Sequence, residues 1–291
     1  MKVHLVDGTY ELFRNHFGAP PRSALDGHEV GATVGLLNSL LALVSTPGIT
    51  HVACAFDHVI ESFRNGLYAG YKTGEGVDPK LSVQFPEAER AVAALGIVVW
   101  SMVEFEADDA LATGAALFKD QPGVDQVVVC SPDKDLAQVV SGDRVVCWDR
   151  RRDIVIDEEG VIEKYGIRPA SIPDWLALVG DTADGYPGIP GWGQKSASGV
   201  LSRFDHLESI PSDPHQLGIP LVRATRLLES LTTRREEAFL YRLLATLRSD
   251  VPMKENLADL QWQGAAADLA RICHDLGNEA LLKRVSKWRA A

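Results

Sequence analysis

The chain has no apolar run approaching the ~20 residues that a bilayer-spanning helix requires, so none of its 291 residues is expected to cross a membrane. Its first residues, Met1-Lys2-Val3-His4-Leu5-Val6-Asp7, enter an apolar run directly and show no signal-peptide cleavage pattern. Cysteine is scarce. Cys54, Cys130, Cys147 and Cys273 have neither paired nor metal-ligand spacing, so each reads as a buried thiol in a reducing cytoplasm. The eight histidines also lack ligand spacing, and no repeat or low-complexity segment interrupts the chain. Positive charge is in deficit too. A formal charge of −11 ordinarily argues against a nucleic-acid partner. Nine of those negative charges fall in one candidate metal cluster that bound cations would neutralise, so net charge decides little. Apolar content of 46% and charged content of 24% are those of an ordinary globular protein, and the length permits two domains.

What the sequence does have is acids placed where apolar runs end. Asp7 closes Val3-His4-Leu5-Val6, and Asp57 closes His51-Val52-Ala53-Cys54-Ala55-Phe56. Glu106, Asp108 and Asp109 follow Ile97 to Val103. Asp133 and Asp135 follow Gln126 to Cys130, and Asp181 and Asp184 flank a Gly-rich turn. Short β-branched runs alternating with helical patterns read as buried parallel strands. Ligands bind beyond the carboxyl ends of such strands. So many carboxylates could not be gathered without cations, and oxygen ligands select hard divalent ions, Mg²⁺ or Mn²⁺. Each acid alone has a bland alternative. Asp7 reads as a helix cap, Glu106 to Asp109 as acids favoured in a first turn, and Asp133-Lys134-Asp135 as a loop. Together they favour metal.

In chain order, helices are expected at Thr9–Phe17, about Val30–Val44, Leu81–Leu95 and Ala107–Phe118. The stretch 58–95, with its Gly-rich interval Gly70 to Gly76, reads as a partly mobile excursion. Arg144–Trp148 and Asp153–Ile156 read as a hairpin at the sheet edge. From about Glu159 only helices and turns are expected, with a boundary near Tyr165-Gly166.

The most specific motif is Gly188-Ile189-Pro190-Gly191-Trp192-Gly193-Gln194-Lys195-Ser196-Ala197. Its glycines permit a tight hairpin between helices whose outward N–H groups hold a phosphate without reading a base. A plain helix–helix turn is the alternative. Arg14, Arg64, Lys72 and Lys195 are candidate phosphate contacts, and Tyr71 could stack on a base. Lys283, Arg284, Lys287 and Arg289 read as a solvated helical face.

These residues together resemble the bacterial and phage 5′ nuclease family, which includes flap endonucleases and the 5′→3′ exonuclease domain attached to bacterial DNA polymerase I. The resemblance runs collinearly over about residues 1–252. It rests on Asp7, Asp57, Glu106-Ala107-Asp108-Asp109, Asp133-Lys134-Asp135, Gly180-Asp181 through Asp184 to Pro187-Gly188, and the closing segment Ala245 to Pro252. It implies an α/β, PIN-like, mainly parallel sheet with helices on both faces over 1–165, the 58–95 stretch serving as its arch. An all-helical domain over 166–291 would follow, with a helix-3-turn-helix motif at about 172–204. The implied activity is two-metal hydrolysis of phosphodiesters, the ions ~4 Å apart, on 5′-flap, nicked or branched DNA in replication and repair. Asp7, Asp57, Glu106, Asp108 and Asp109 would serve mainly one ion, and Asp133, Asp135, Asp181 and Asp184 mainly the other. Lys72, Arg14 and Asp133 would act at the scissile phosphate. Arg14, Arg64, Tyr71, Lys72, Gly188, Gly191, Gly193, Lys195 and Ser196 would contact DNA, with K⁺ a candidate ion at the hairpin. A monomeric, stand-alone enzyme is expected. One departure is Tyr71-Lys72-Thr73-Gly74-Glu75, where the family reads Tyr-Lys-x-x-Arg. The competing readings are a PIN-type ribonuclease, a non-catalytic DNA-binding module and a small-molecule phosphohydrolase.

Overall fold

The acid-terminated apolar runs do form strands: β1 (Lys2–Asp7), β2 (Ile49–Asp57), β3 (Val98–Met102) and β4 (Gln126–Cys130), with β5 (Val145–Asp149) and β6 (Ile154–Ile156) after them. The computed structural model describes residues 1–290. Helices α1 (Gly8–Gly18), α2 (Gly31–Val44), α3 (Phe63–Leu67), α4 (Pro79–Ser82), α5 (Phe85–Ala94) and α6 (Ala107–Phe118) alternate with the first strands. After β6 come α7 (Glu158–Tyr165), α8 (Ile172–Val179), α9 (Gln194–Phe204), α10 (Leu221–Thr233), α11 (Arg235–Ala245), α12 (Leu269–Asp275) and α13 (Glu279–Leu282). Among the described residues no helix is long and apolar enough to cross a membrane.

The chain divides into two compact units that interleave. The first takes residues 1–62, 74–131 and the chain from 249 onward; the second takes 63–73 and 132–248. The short segment 63–73 and the β5–β6 pair belong to the second unit, and the chain from 249 onward returns to the first.

In the first unit the strands lie in the order β3-β2-β1-β4, all parallel, with Leu5 opposite both Ala53 and Val129 and Ala55 opposite Trp100. Parallel pairing puts the four carboxyl ends on one edge. Every residue of β1 from Val3 to Asp7 is buried, as are His51 to Phe56 of β2. Strands without an exposed alternate position need cover on both faces. Helix α6 lies against all four strands, while α1, α2 and α5 pack together and reach β2 and β3. Leu36, Leu37, Leu40 and Leu41 of α2 are almost wholly buried, each contributing roughly 1.5–3 kcal/mol before ordering costs.

The returning segment is fastened by its backbone. Trp262 N–H donates to Thr50 O and Ala266 N–H to Ala94 O, both at 2.8 Å. Trp262 Nε1 donates to Leu95 O at 2.9 Å, and Arg284 to Asn38 at 2.7 Å. Lys283 to Arg289 do not form the expected helical face, because α13 stops at Leu282.

The 58–95 stretch is far more ordered than its composition implies. Leu81 and Phe85 are buried in the first unit, and Arg64 and Tyr71 in the second. The expected helix Leu81–Leu95 is broken at Val83-Gln84. There Gln84 is fully buried, accepts Thr33 N–H at 3.1 Å and donates to Lys80 O at 2.8 Å. The short α3 and α4 span too few residues to show a helical period.

In the second unit α8 packs between α9 and α11, and β5 pairs antiparallel with β6 through Cys147 and Ile156. All four cysteines are buried thiols outside any disulfide. The chain leaves α8 through two glycines that touch. Gly180 (φ +85°) and Gly188 (φ +73°) approach so closely that a Cβ on Gly188 would lie 2.4 Å from Gly180 N and 2.5 Å from Val179 C. Both obstacles are backbone and cannot rotate away. Gly188→Ala is therefore expected to destabilise by more than ~1 kcal/mol, through φ strain plus this clash. Urea unfolding of the variant checks it; an unchanged midpoint would refute the packing argument.

Candidate metal centre

Four acids of the first unit, Asp7, Asp57, Glu106 and Asp109, are held by donors at the sheet's carboxyl edge. Asp7 caps α1, accepting Tyr10 N–H on one oxygen and the Ser131 hydroxyl on the other, both at 2.8 Å. Asp57 accepts Ala107 N–H at 2.7 Å, and its own N–H donates to Thr9 Oγ1 at 2.8 Å. Glu106 accepts the Ser62 hydroxyl at 2.7 Å, and Asp109 accepts Glu106 N–H at 3.0 Å. The capping roles are thus real, and they orient the carboxylates. Asp108 is half-buried, whereas Asp109 has no exposed surface.

The second unit contains the crowded set. Asp135, Asp181 and Asp184 each bring a carboxylate oxygen within 4.8 Å of the others. Asp135 starts the turn after β4. Asp181 and Asp184 sit in a loop after α8 that closes when Asp181 and Tyr186 exchange backbone hydrogen bonds of 2.9 and 3.1 Å. Asp133, expected to ligate beside Asp135, is exposed and turns back to accept Asp135 N–H at 3.0 Å. Two ammoniums sit against the set. Lys134 Nζ lies 2.5 Å from Asp181 and 3.8 Å from Asp135, and Lys72 Nζ 3.2 Å from Asp184.

Lys72 is placed by backbone contact. Its N–H donates to Asp184 O at 3.0 Å, and a Cβ on Gly185 (φ +87°) would come 2.1 Å from Gly70 O. Only glycine at 185 allows the 63–73 segment so near.

Burial, and then the charges of Asp133 and Asp184, push the Asp135 carboxyl well above its ordinary range; Lys134 opposes them. Burial works against the Lys134 ammonium, yet Asp135 and the bond to Asp181 outweigh it and raise its pKa. Asp135 Oδ1 is buried without a hydrogen-bond partner. An all-carboxylate set with one buried oxygen that makes no hydrogen bond fits a hard divalent ion.

Several expected nucleic-acid contacts take structural roles. Arg64 is buried, with Nε on Leu244 O at 2.8 Å and Nη2 on Thr246 O at 3.1 Å. Tyr71 is buried too, so neither presents a surface to DNA. Arg14 pairs with the buried Glu11 on its own helix. The Ser196 hydroxyl accepts Gly193 N–H and donates to Gly193 O, both at 3.0 Å, closing the start of α9. In the hairpin, Ile189 N–H donates to Leu178 O and Trp192 N–H to Ile189 O. Those N–H groups and that of Gly193 therefore point inward, contrary to expectation. Gly188 is buried, while Gly191 and Lys195 remain exposed. Sequence reasoning missed Lys134, Tyr186 and the hydroxyls of Ser62 and Ser131. Only Lys134 carried a signal, standing between two acids of one loop.

Carboxylates crowded in this way serve one chemistry well, the binding of hard divalent ions against phosphate, and the class so defined is that of metal-dependent nucleases. Known proteins fix the family. Residues 2–166 match the 5′-3′ exonuclease N-terminal resolvase-like domain, and residues 167–268 match the 5′-3′ exonuclease C-terminal SAM fold. The chain belongs to the 5′-3′ exonuclease family. It is 32% identical to the 5′-3′ exonuclease of Aquifex aeolicus, covering 98% of this chain and 95% of that one. It is also 32% identical to DNA polymerase I of Bacillus subtilis, covering 98% of this chain but only 32% of the polymerase. The chain thus spans about a third of that relative's length. A structure of the bacteriophage T5 flap endonuclease, in a pseudo-enzyme-product complex with DNA and metal ions, shares the fold. Its TM-score is 0.66 at 18% identity, over 98% of this chain and 96% of that one.

For an acid whose folded pKa is raised, the native state holds more protons than the unfolded. Stability then falls as pH rises from the ordinary carboxylate value toward the raised one. In EDTA the melting temperature should decline over that span on account of Asp135, and Mg²⁺ should restore it. Asp135→Asn should raise the EDTA melting temperature by about 2–4 °C, equivalent to ~1 kcal/mol for a chain of this size, and should abolish the gain from Mg²⁺. Melts across pH with EDTA or Mg²⁺ decide it, and a variant that still gains from Mg²⁺ overturns the assignment.

Proposed function

We propose that this protein is a structure-selective 5′ nuclease that hydrolyses DNA phosphodiesters with Mg²⁺ or Mn²⁺, acting as a 5′→3′ exonuclease or 5′-flap endonuclease in replication and repair. The observation that carries the reading is the crowded Asp135, Asp181 and Asp184 set, with Asp135 Oδ1 buried and making no hydrogen bond, in a chain of the 5′-3′ exonuclease family. Bound ions would activate water and offset charge on the phosphate. Asp135, Asp181 and Asp184 would hold one ion with Asp133 beside them. Asp7, Asp57, Glu106 and Asp108 would hold another, with Asp109 bracing Glu106.

Lys72, fixed by Asp184, is the residue assigned to the scissile phosphate, and Arg14 a further cation for the DNA strand. The exposed Lys195 and the Gly191–Gly193 turn before α9 are assigned to the duplex backbone, with K⁺ as the monovalent ion there. Backbone and ammonium donors carry no base readout. The four buried thiols support a cytoplasmic location, and a monomer is expected.

Three experiments test the reading. Labelled 5′-flap, nicked, blunt and single-stranded substrates, in DNA and RNA versions, are digested with Mg²⁺ or EDTA. Cleavage of DNA flaps and ends in Mg²⁺ alone is expected. Preference for RNA would favour a PIN-type ribonuclease, and binding without cleavage a DNA-binding module. Asp184→Asn should cut turnover by orders of magnitude while DNA binding in Ca²⁺ persists; near-normal cleavage by it would sink the metal assignment. Lys195→Ala should weaken duplex binding equally across sequences and flatten its salt dependence. A marked sequence preference in the wild type would count against backbone recognition.

A further inference from the structure

Helix α10 is bolted to the glycine hairpin. Trp192 Nε1 donates to Leu227 O at 3.1 Å, and the Ser230 hydroxyl donates to Pro190 O at 2.7 Å. A Cβ on Gly191 would lie 3.8 Å from Leu227 Cδ2. Leu227 and Ser230 therefore mark the stripe of α10 that meets the hairpin, while Ala224, Leu228 and Leu231, further round the helix, are buried in the second unit.

Two arginines flank that stripe. Arg223 stands four residues before Leu227 and seven before Ser230, so it continues the stripe by one turn. Arg226 stands one turn before Ser230, on the solvent side. Both are exposed. Arg234 and Arg242 are committed to Glu237 and to Asp174 and Glu208, but Arg223 and Arg226 have no such partner among the described residues. The single acid of α10, Glu229, lies a further ~60° round from Arg226, away from the hairpin.

Arg203 shows how α9 and α10 run. Its guanidinium rests on Gly218, where a Cβ would meet Nη1 at 1.8 Å. The end of α9 thus lies by the start of α10, and the hairpin, which leads into α9, lies by Leu227 and Ser230. The helices are antiparallel. The exposed Lys195, in the first turn of α9, shares the hairpin end of the pair, and Arg226 and Arg223 carry positive charge from there along α10. One helical turn is ~5.4 Å, against a rise of ~3.4 Å per nucleotide of a strand, so the row reaches beyond a single phosphate.

We propose that Arg223 and Arg226 form a second row of phosphate contacts for duplex DNA, in which α10 carries the duplex on from the Gly191–Gly193 turn. A guanidinium meets two phosphate oxygens as a fork, and phosphate contacts add affinity and register without base readout. The inference deepens the assignment of the hairpin and Lys195 to the duplex backbone and rests on it.

The test is fluorescence anisotropy of a labelled blunt DNA duplex with the full-length protein, in EDTA across a KCl series, so that neither cleavage nor divalent ions enter. Arg223→Ala/Arg226→Ala should weaken binding about tenfold at low salt and flatten the slope of log affinity against log salt by ~1.8, or ~0.9 for each contact. Arg223→Lys/Arg226→Lys should keep most of that slope. Lys283→Ala/Arg289→Ala removes the same charge from the returning segment of the first unit and should change affinity less than about twofold. If the α10 double variant loses no more than this control while Lys195→Ala is weakened, Arg223 and Arg226 are merely solvated, so the inference is overturned and the hairpin assignment stands. If Lys195→Ala also binds as wild type, the hairpin assignment fails and this inference with it. A loss on single-stranded DNA as large as that on the duplex would overturn the duplex as occupant.

Discussion

Like-charge crowding is the constraint around which the second unit is built. Three carboxylates whose oxygens lie within 4.8 Å of one another repel strongly away from bulk water. Two ammoniums from different parts of the chain, Lys72 and Lys134, offset part of that repulsion. Asp135 keeps one oxygen without a hydrogen bond, and burial, then the neighbouring carboxylates, hold its pKa above the ordinary range. A site of this kind gives up stability in the metal-free state in exchange for affinity toward a divalent ion.

The scaffold that sustains this crowding is mostly backbone. Gly180 and Gly188 let the loop leave α8 and return against it, and Gly185 admits the Gly70 carbonyl. These contacts fix Asp181, Asp184 and Lys72 without using a side chain. Arg64 works from the other direction, its guanidinium on the carbonyls that end α11. In the first unit the acids are oriented by hydroxyls and helix-start N–H groups. There, capping and ligand presentation are two uses of the same carboxylate, since a carboxylate oxygen can bond a backbone N–H and still offer lone pairs to an ion.

The strands were legible because parallel strands covered on both faces must be largely apolar, and β1 and β2 end at an acid while β3 and β4 are followed by acids within a few residues. Helices α1, α2 and α6 were legible from their periodicity and their starts. The acids themselves were legible because no ordinary role explains so many at strand ends. Arg64 and Tyr71 were misread for a physical reason: sequence carries no sign that a short aperiodic segment is drawn into a core. Buried arginines are rare, so exposure was the natural expectation.

Sequence alone determined the chemistry available here: an oxygen-rich ligand set, an α/β sheet to carry part of it, a glycine hairpin, and membership of a family readable from collinear motifs. Those follow from local rules, namely residue type, spacing and where an apolar run stops. Tertiary structure decided the allocation. It sent Asp133 outward and Asp135 inward, turned Ser196 into a helix lock, and drew the 63–73 segment into the second unit. None of these follows from local pattern, because each depends on burial and on which distant backbone atoms approach within a few ångströms.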